Sequence, residues 1–342
     1  MSLPELRHLW HIERMTKANR TVLPLSQIVF LIALMGFVPT LFQTALATEN
    51  RSLTLTHSES FRPFTDVVIN GVGSSALIDT AATIPLIDDN YLELDTSNGG
   101  IAHVEADEAR ILGIGGQRFY PVARLPNLRA GSETWTDLRV AVNNENLFPV
   151  QKSVLPISIF ESRVVDFDFK NNKVLLYDGR PKRVRRAHQA SVPYQDVNSL
   201  MFVPVRINGV RGRALIDTGA DISFINPTFA ERAKAKLDEE RTAMLRGSDL
   251  TRNRASIYQV RRIIFAENEF NRVAVPVLET DLFRELGFAD EPMMIFGMDL
   301  LQHFRVQVDR GRQKIYFVRA SNGSRVSASR EIISGPKDVS ER

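Results

Sequence analysis

The chain writes nearly the same twenty residues twice. FTDVVINGVGSSALIDTAAT at 64–83 aligns without a gap with FVPVRINGVRGRALIDTGAD at 202–221, at a constant offset of 138, and twelve of the twenty positions are identical. The match weakens downstream but keeps its order. LRVAV (138–142) answers NRVAV (271–275), NLF (146–148) answers DLF (281–283), and VLPISIFESRVVDFDFKNNKVLLY (154–177) answers IFGMDLLQHFRVQVDRGRQKIYF (295–317). Each copy is long enough to bury its own core, so the repeat is a duplicated domain and not a short-period solenoid.

The local pattern inside each copy is strand. DVVING and VPVRING alternate, an Asn-Gly turn follows, and the chain re-enters an apolar run, ALID. RVVDFDF and FRVQVD alternate in the same way. Helix is scarce, and its clearest signal lies over 227–237, where Asn226 can cap, Pro227 suits the first turn and FAERAKAKL follows. This predicts an all-β protein with two lobes, 60–178 and 200–318, joined by a polar, basic linker at 179–199. A disordered tail is expected over 319–342.

The N-terminus has the order of an export signal: basic residues up to Arg20, the apolar run IVFLIALMGFVPTLF (28–42), and ALA at 45–47. Residues 1–47 are read as a signal peptide cut after Ala47, or as an uncleaved anchor using about 22–46 with its basic flank in the cytoplasm. Either way the body is expected outside the cytoplasm, in the periplasm or beyond, with membrane association only through this segment. The net charge of +3 falls to +1 once residues 1–47 are set aside, which gives no footprint for nucleic acid. The absence of cysteine excludes disulfide and thiolate chemistry.

The chemistry lies where the two copies agree best. An apolar strand that ends in an aspartate, Asp79 or Asp217, is costly unless the carboxylate is hydrogen-bonded or functional. The following Thr80 or Thr218 supplies a hydroxyl, and Gly219 supplies a backbone without a Cβ. Pseudo-two-fold packing of the copies would set the two carboxylates side by side. Such a pair shares one proton, so one member can act as base while the other donates. The run LIDTGA (215–220), the later IFGMDLLQHFRV (295–306) and their duplication resemble the pepsin–retropepsin superfamily of aspartic proteases, most of all its bacterial retropepsin-like kind. The resemblance covers about residues 60–318, twice over.

What the resemblance implies is an endopeptidase with a two-lobed acid-protease barrel carrying short helices. Asp79 and Asp217 would form the dyad, with Thr80, Ala81, Thr218 and Gly219 supporting it. A glycine-rich flap would cover the substrate at LGIGGQRFY (112–120), through Gly113, Gly115 and Gly116, with a counterpart at 245–258. The partner would be an extended peptide, no cofactor or metal is implied, and one chain would suffice as a monomer. Copy one departs from the pattern in two places: Ala81 stands where the second copy has Gly219, and Pro156 where it has Gly297. A degenerate first lobe that keeps only the fold, leaving a non-catalytic peptide-binding module or an envelope platform, is the alternative.

The remaining motifs are weak. GIGGQ (113–117) lacks the spacing of a dinucleotide loop, the histidines are scattered, and there is no Gly-x-Ser-x-Gly elbow. The basic run Arg180–Arg186 reads as a solvated linker, or as a patch that adheres to an anionic membrane.

Overall fold

The computed structural model describes residues 51–57, 61–92, 103–113, 116–143, 153–246 and 252–320, all within one compact unit, Ala47–Arg342. The export or anchor segment and the tail beyond 320 lie outside the described residues. Among the described residues no helix is long and apolar enough to cross a membrane.

The fold is all-β and two-lobed. In the first lobe the hairpin Pro63–Ile69/Val72–Asp79 turns at Asn70 and Gly71, both at positive φ. Its second strand then runs parallel to Val154–Pro156. The second lobe repeats this with Leu200–Ile207/Val210–Ile216, turning at Asn208 and Gly209, and with Met293–Phe296 as the parallel partner. The Asn-Gly signals therefore did what such pairs do, supplying consecutive left-handed residues. Each lobe curls until its first strand meets a later one, at Ile69↔Leu128 and at Ile207↔Ile263. The alternating strands bury one face in a shared core: Val67 and Ile69 in one lobe, Val203, Val205 and Ile207 in the other.

The first-lobe sheet continues through Arg51–His57, which pairs with Pro63–Ile69, into strands that join the lobes, in the order Ala187–Pro193, Lys314–Ala320, Arg305–Asp309, Val164–Asp168, Lys173–Tyr177, Arg51–His57. At the centre of this joining part the matching strands of the two copies pair antiparallel, with Gln307 opposite Asp166. Asp166 is fully buried there. It accepts two hydrogen bonds from the Arg305 guanidinium (2.8 and 2.7 Å), one from the Tyr177 hydroxyl (2.9 Å) and one from the Gln307 amide (3.2 Å).

Two boundaries differ from the sequence reading. The stretch 179–199 connects the lobes but is not merely a linker. Ala187–Pro193 forms the edge of the joining sheet and Gln195–Val197 pairs with Leu200–Ile207, the polar positions facing outward. The helix expected over 227–237 ends at Arg232. Asn226 caps it as expected, accepting from Phe229 N–H at 2.9 Å. Lys234 then turns left-handed (φ 48°), and from Lys236 the chain becomes a strand paired to Gln259. Sheet pairing outweighs the helix propensity of that stretch.

The junction offers a direct check. Arg305→Met leaves the Asp166 carboxylate buried without its cation, and unfolding free energy should fall by about 3 kcal/mol, as when one partner of a buried pair is removed. A loss under about 0.5 kcal/mol in urea unfolding would show that the pair acts as a surface bridge.

Candidate active site

Each candidate aspartate sits where an apolar strand stops: Asp79 ends Val72–Asp79, and Asp217 directly follows Val210–Ile216. The residues after them lock together across the two lobes. Thr80 Oγ1 donates to the Ile216 carbonyl (2.7 Å) and accepts from Thr218 N–H (3.0 Å). Thr218 Oγ1 reciprocates, donating to the Ile78 carbonyl (2.8 Å) and accepting from Thr80 N–H (3.0 Å). Both threonines are 1% exposed. Each of the four bonds crosses between copies, so neither turn is satisfied without the other.

Locked this way, the two carboxylates meet. The Asp217 carboxyl is near enough to act on that of Asp79, and Ala81 N–H donates to Asp79 Oδ1 at 2.7 Å. Asp217 Oδ1 accepts from Gly219 N–H (2.9 Å) and Ala220 N–H (3.0 Å). Gly219 lies against the opposite carboxylate, where an added Cβ would stand 2.7 Å from Asp79 Cγ. Neither Ala81 nor Gly219 has positive φ, so Ala81 carries no backbone strain at its position. What Gly219 supplies is room. Pro156 is tolerated as well: it pairs with Asp79 at φ −70°, in the extended range open to proline.

The site is electrostatically lopsided. Burial drives the Asp217 carboxyl well above its usual range, and the neighbouring Asp79 charge pushes it further. Burial also raises Asp79, but the N–H groups of Ala81 and Ala82, the Arg62 cation and the bond from Asp217 all pull it back. Both carboxyls are raised by burial, so the pair retains a proton to higher pH than an isolated aspartate would. Sequence reading missed Arg62. It reaches across the lobes to Asp221 at 2.6 Å, a contact that no local pattern signals.

Behind the Asp217 turn, Asp299 accepts from Ser223 Oγ (2.6 Å), Ser223 N–H (2.9 Å) and Leu300 N–H (2.9 Å). Gly297, where a Cβ would stand 2.9 Å from the Ala220 carbonyl, lets these segments touch. Asp299 stood inside the IFGMDLL run without being singled out.

Of the flap glycines, Gly113 and Gly116 close a hairpin between His103–Leu112 and Gln117–Ala130, through a 2.7 Å bond from Gly113 N–H to the Gly116 carbonyl. Gly115 lies outside the described residues. The hairpin leans on the second lobe, where Arg110 pairs with Glu285 (3.3 Å). In the second copy the arms Lys236–Arg246 and Arg252–Phe265 pair as a hairpin, and its tip, 247–251, lies outside the described residues. Among the described residues no cluster of three or more His, Asp or Glu is placed to hold a metal ion.

Burial raises the Asp299 carboxyl from 3.8 to about 6. The stability it contributes is fully present below 3.8 and is lost as pH rises through about 6. Asp299→Asn keeps the accepting oxygen and should flatten that part of the stability–pH curve. Parallel curves for the two proteins between pH 4 and 7 would show that Asp299 ionises normally.

Comparison with known proteins adds one finding. Residues 203–300 match the family model of aspartyl proteases, a span that holds Asp217, Thr218, Gly219 and Gly297 and does not reach the first copy. A search among curated proteins found no match. The matched segment, residues 203–300, is similar to aspartyl proteases of the pepsin/retropepsin-like superfamily and supports protease activity in general terms.

Proposed function

We propose that this chain is a single-chain aspartic endopeptidase that hydrolyses extended peptides between its lobes. The observation that carries the reading is the reciprocal threonine lock, which brings Asp79 and Asp217 into hydrogen-bonding reach from two copies of one repeat. A lobe kept only for its fold has no need of a carboxylate at Asp79, nor of a donor aimed at it.

In this mechanism Asp79, held anionic by two N–H groups and Arg62, takes a proton from a water between the carboxylates. Asp217 gives its proton to the scissile carbonyl oxygen as the water oxygen bonds to the carbonyl carbon. Collapse of the tetrahedral diol returns one hydroxyl proton to Asp217 as the C=O re-forms and the C–N bond breaks, and the proton gained by Asp79 passes to the leaving amine. The substrate lies as a strand beneath the Gly113–Gly116 hairpin, its backbone hydrogen-bonded and its side chains on alternate faces. Because both aspartates come from one chain, activity should not require a dimer. Export, with the N-terminal segment either removed or kept as an anchor, places the enzyme outside the cytoplasm.

Peptide-library cleavage tests the reading. Asp79→Asn and Asp217→Asn should each abolish turnover and leave the thermal melt in place; full activity in Asp79→Asn would reduce the first lobe to scaffold. Gly219→Ala drives a methyl into Asp79 and should lower turnover about 100-fold, the scale of a misplaced catalytic group. Ala81→Gly keeps the N–H that holds Asp79 and should stay within a few-fold of the parent.

The pH profile tests the chemistry. Pepsin-like sites commonly have a hydroxyl after Asp-Thr-Gly to hold the anion, where this chain has Ala82 and Ala220. Catalysis needs one proton on the pair, and the raised Asp217 retains it to higher pH, so the upper limb of the rate profile should reach toward neutrality. Ala82→Ser with Ala220→Ser should move the optimum toward acid. A parent optimum below about pH 4, near pepsin's upper dyad value, would contradict this account.

A further inference from the structure

Away from the cleft, the basic run between the lobes has a definite place. Residues 179–186 carry five cations and no acid: Arg180, Lys182, Arg183, Arg185 and Arg186. They lie against the face of the joining strands that bears Tyr177 and Gln307, and they are pinned there at Lys182. Its carbonyl accepts from the Gln307 amide (3.0 Å) and its N–H donates to the Tyr177 hydroxyl (3.2 Å). Its ammonium lies 4.7 Å from the centre of the Tyr177 ring. The run is therefore held on the sheet and not left as a loose tether.

Between run and sheet opens a cavity of about 750 Å³, whose lining shares no residue with the catalytic turns. Arg180 and Arg183 line it from the run. Ser191 and Tyr316 line it from the sheet edge, where they stand opposite each other in neighbouring strands, with Gln189 two residues along on the same face. Arg312, from the turn after Asp309, adds a third guanidinium. It is held by Asp309, which is buried and shared with Arg163. Arg180 and Arg183 have no acidic partner among the described residues. Gathering like charges costs stability, and guanidinium forks flanked by hydroxyl and amide donors are the set that binds the oxygens of a phosphate.

We propose that this cavity seats the phosphate of an anionic phospholipid headgroup and docks the joining strands on a membrane surface. The site is independent of the protease reading. A free phosphate carries the same charge, but two observations favour a lipid. Pro181, Val184 and the Tyr316 ring set apolar surface beside the cations, the pairing that suits a membrane interface. The joining strand Arg51–His57 also begins about five residues after the apolar segment that ends near residue 46. Kept as an anchor, that segment leaves a tether of at most about 18 Å when fully extended.

The test mixes the full chain with vesicles of phosphatidylcholine, alone or with phosphatidylglycerol, and follows phenylglyoxal labelling of each arginine by peptide mass spectrometry. The readout is local, so membrane contact through the apolar segment does not mask it. Arg180 and Arg183 should label at least about 5-fold more slowly on the anionic vesicles, the contribution of one cation near such a surface. Arg110, on the first-lobe hairpin, should keep its rate. In Arg180→Gln/Arg183→Gln the lipid concentration that half-protects Arg312 should rise about 25-fold, two such contributions. Both side chains are exposed, so this variant should melt with the parent. Ser191→Glu sets a carboxylate in the cavity without removing a cation, and it should raise the half-point too. Equal labelling on the two kinds of vesicle, protection that extends to Arg110, or an unchanged half-point in both folded variants would overturn the site. Protection by inorganic phosphate alone, at the same phosphate concentration, would make it a site for a soluble anion and overturn membrane docking.

Discussion

Four hydrogen bonds between Thr80 and Thr218 and the opposing backbone hold the rest of the site in place. Each threonine satisfies a buried carbonyl and a buried N–H of the other copy, and a buried group left unpaired costs about 1–3 kcal/mol. The lock therefore cannot be half made. Once it closes, the two strand ends that carry Asp79 and Asp217 have little freedom to separate. The rise in both carboxyls, the close approach of Gly219 to Asp79 and the placement of the hairpin over the cleft all follow from it. The joining sheet supports the lock from below, where the strands of the two copies pair at Asp166 and Gln307 around a buried guanidinium.

The two-fold relation is a property of the backbone more than of the side chains. Hydrogen bonding to the turns is nearly symmetric, yet the surroundings are not. Arg62 lies on the side that favours charge on Asp79, while Asp217 faces Asp221 as well as its partner, and both raise it. A dyad that shares one proton needs no such bias in a symmetric dimer, where either carboxylate can hold the proton. Here the two carboxyls have different neighbours, Arg62 acting on Asp79 and Asp221 on Asp217. The departures in the first copy belong to the same asymmetry. Ala81 and Pro156 look like decay beside Gly219 and Gly297, but the Asp79 turn forms with both in place.

Much was legible in the residues because the signals were local. Strand alternation, Asn-Gly turns, the Asn226 cap and the pairing of an apolar strand with a terminal aspartate depend on neighbours in the chain, and repetition doubled each signal. The failures were at places where a partner distant in sequence decides. Residues 187–193 look like solvated linker until Lys314–Ala320 pairs with them, and the stretch after Arg232 keeps helical composition while the sheet claims it.

By itself, then, the sequence determined that the chain is a duplication, that it is built from strands, and that two aspartates occupy matching strand ends, since period and repetition are properties of order along the chain. Only the tertiary structure decided that the carboxylates meet, that Gly219 is required for space and not for its dihedral angles, and that Arg62 acts on Asp79 while Leu200 lines a cavity beside it. These depend on distances across the lobe interface, between residues whose separation in the chain carries no record of their approach.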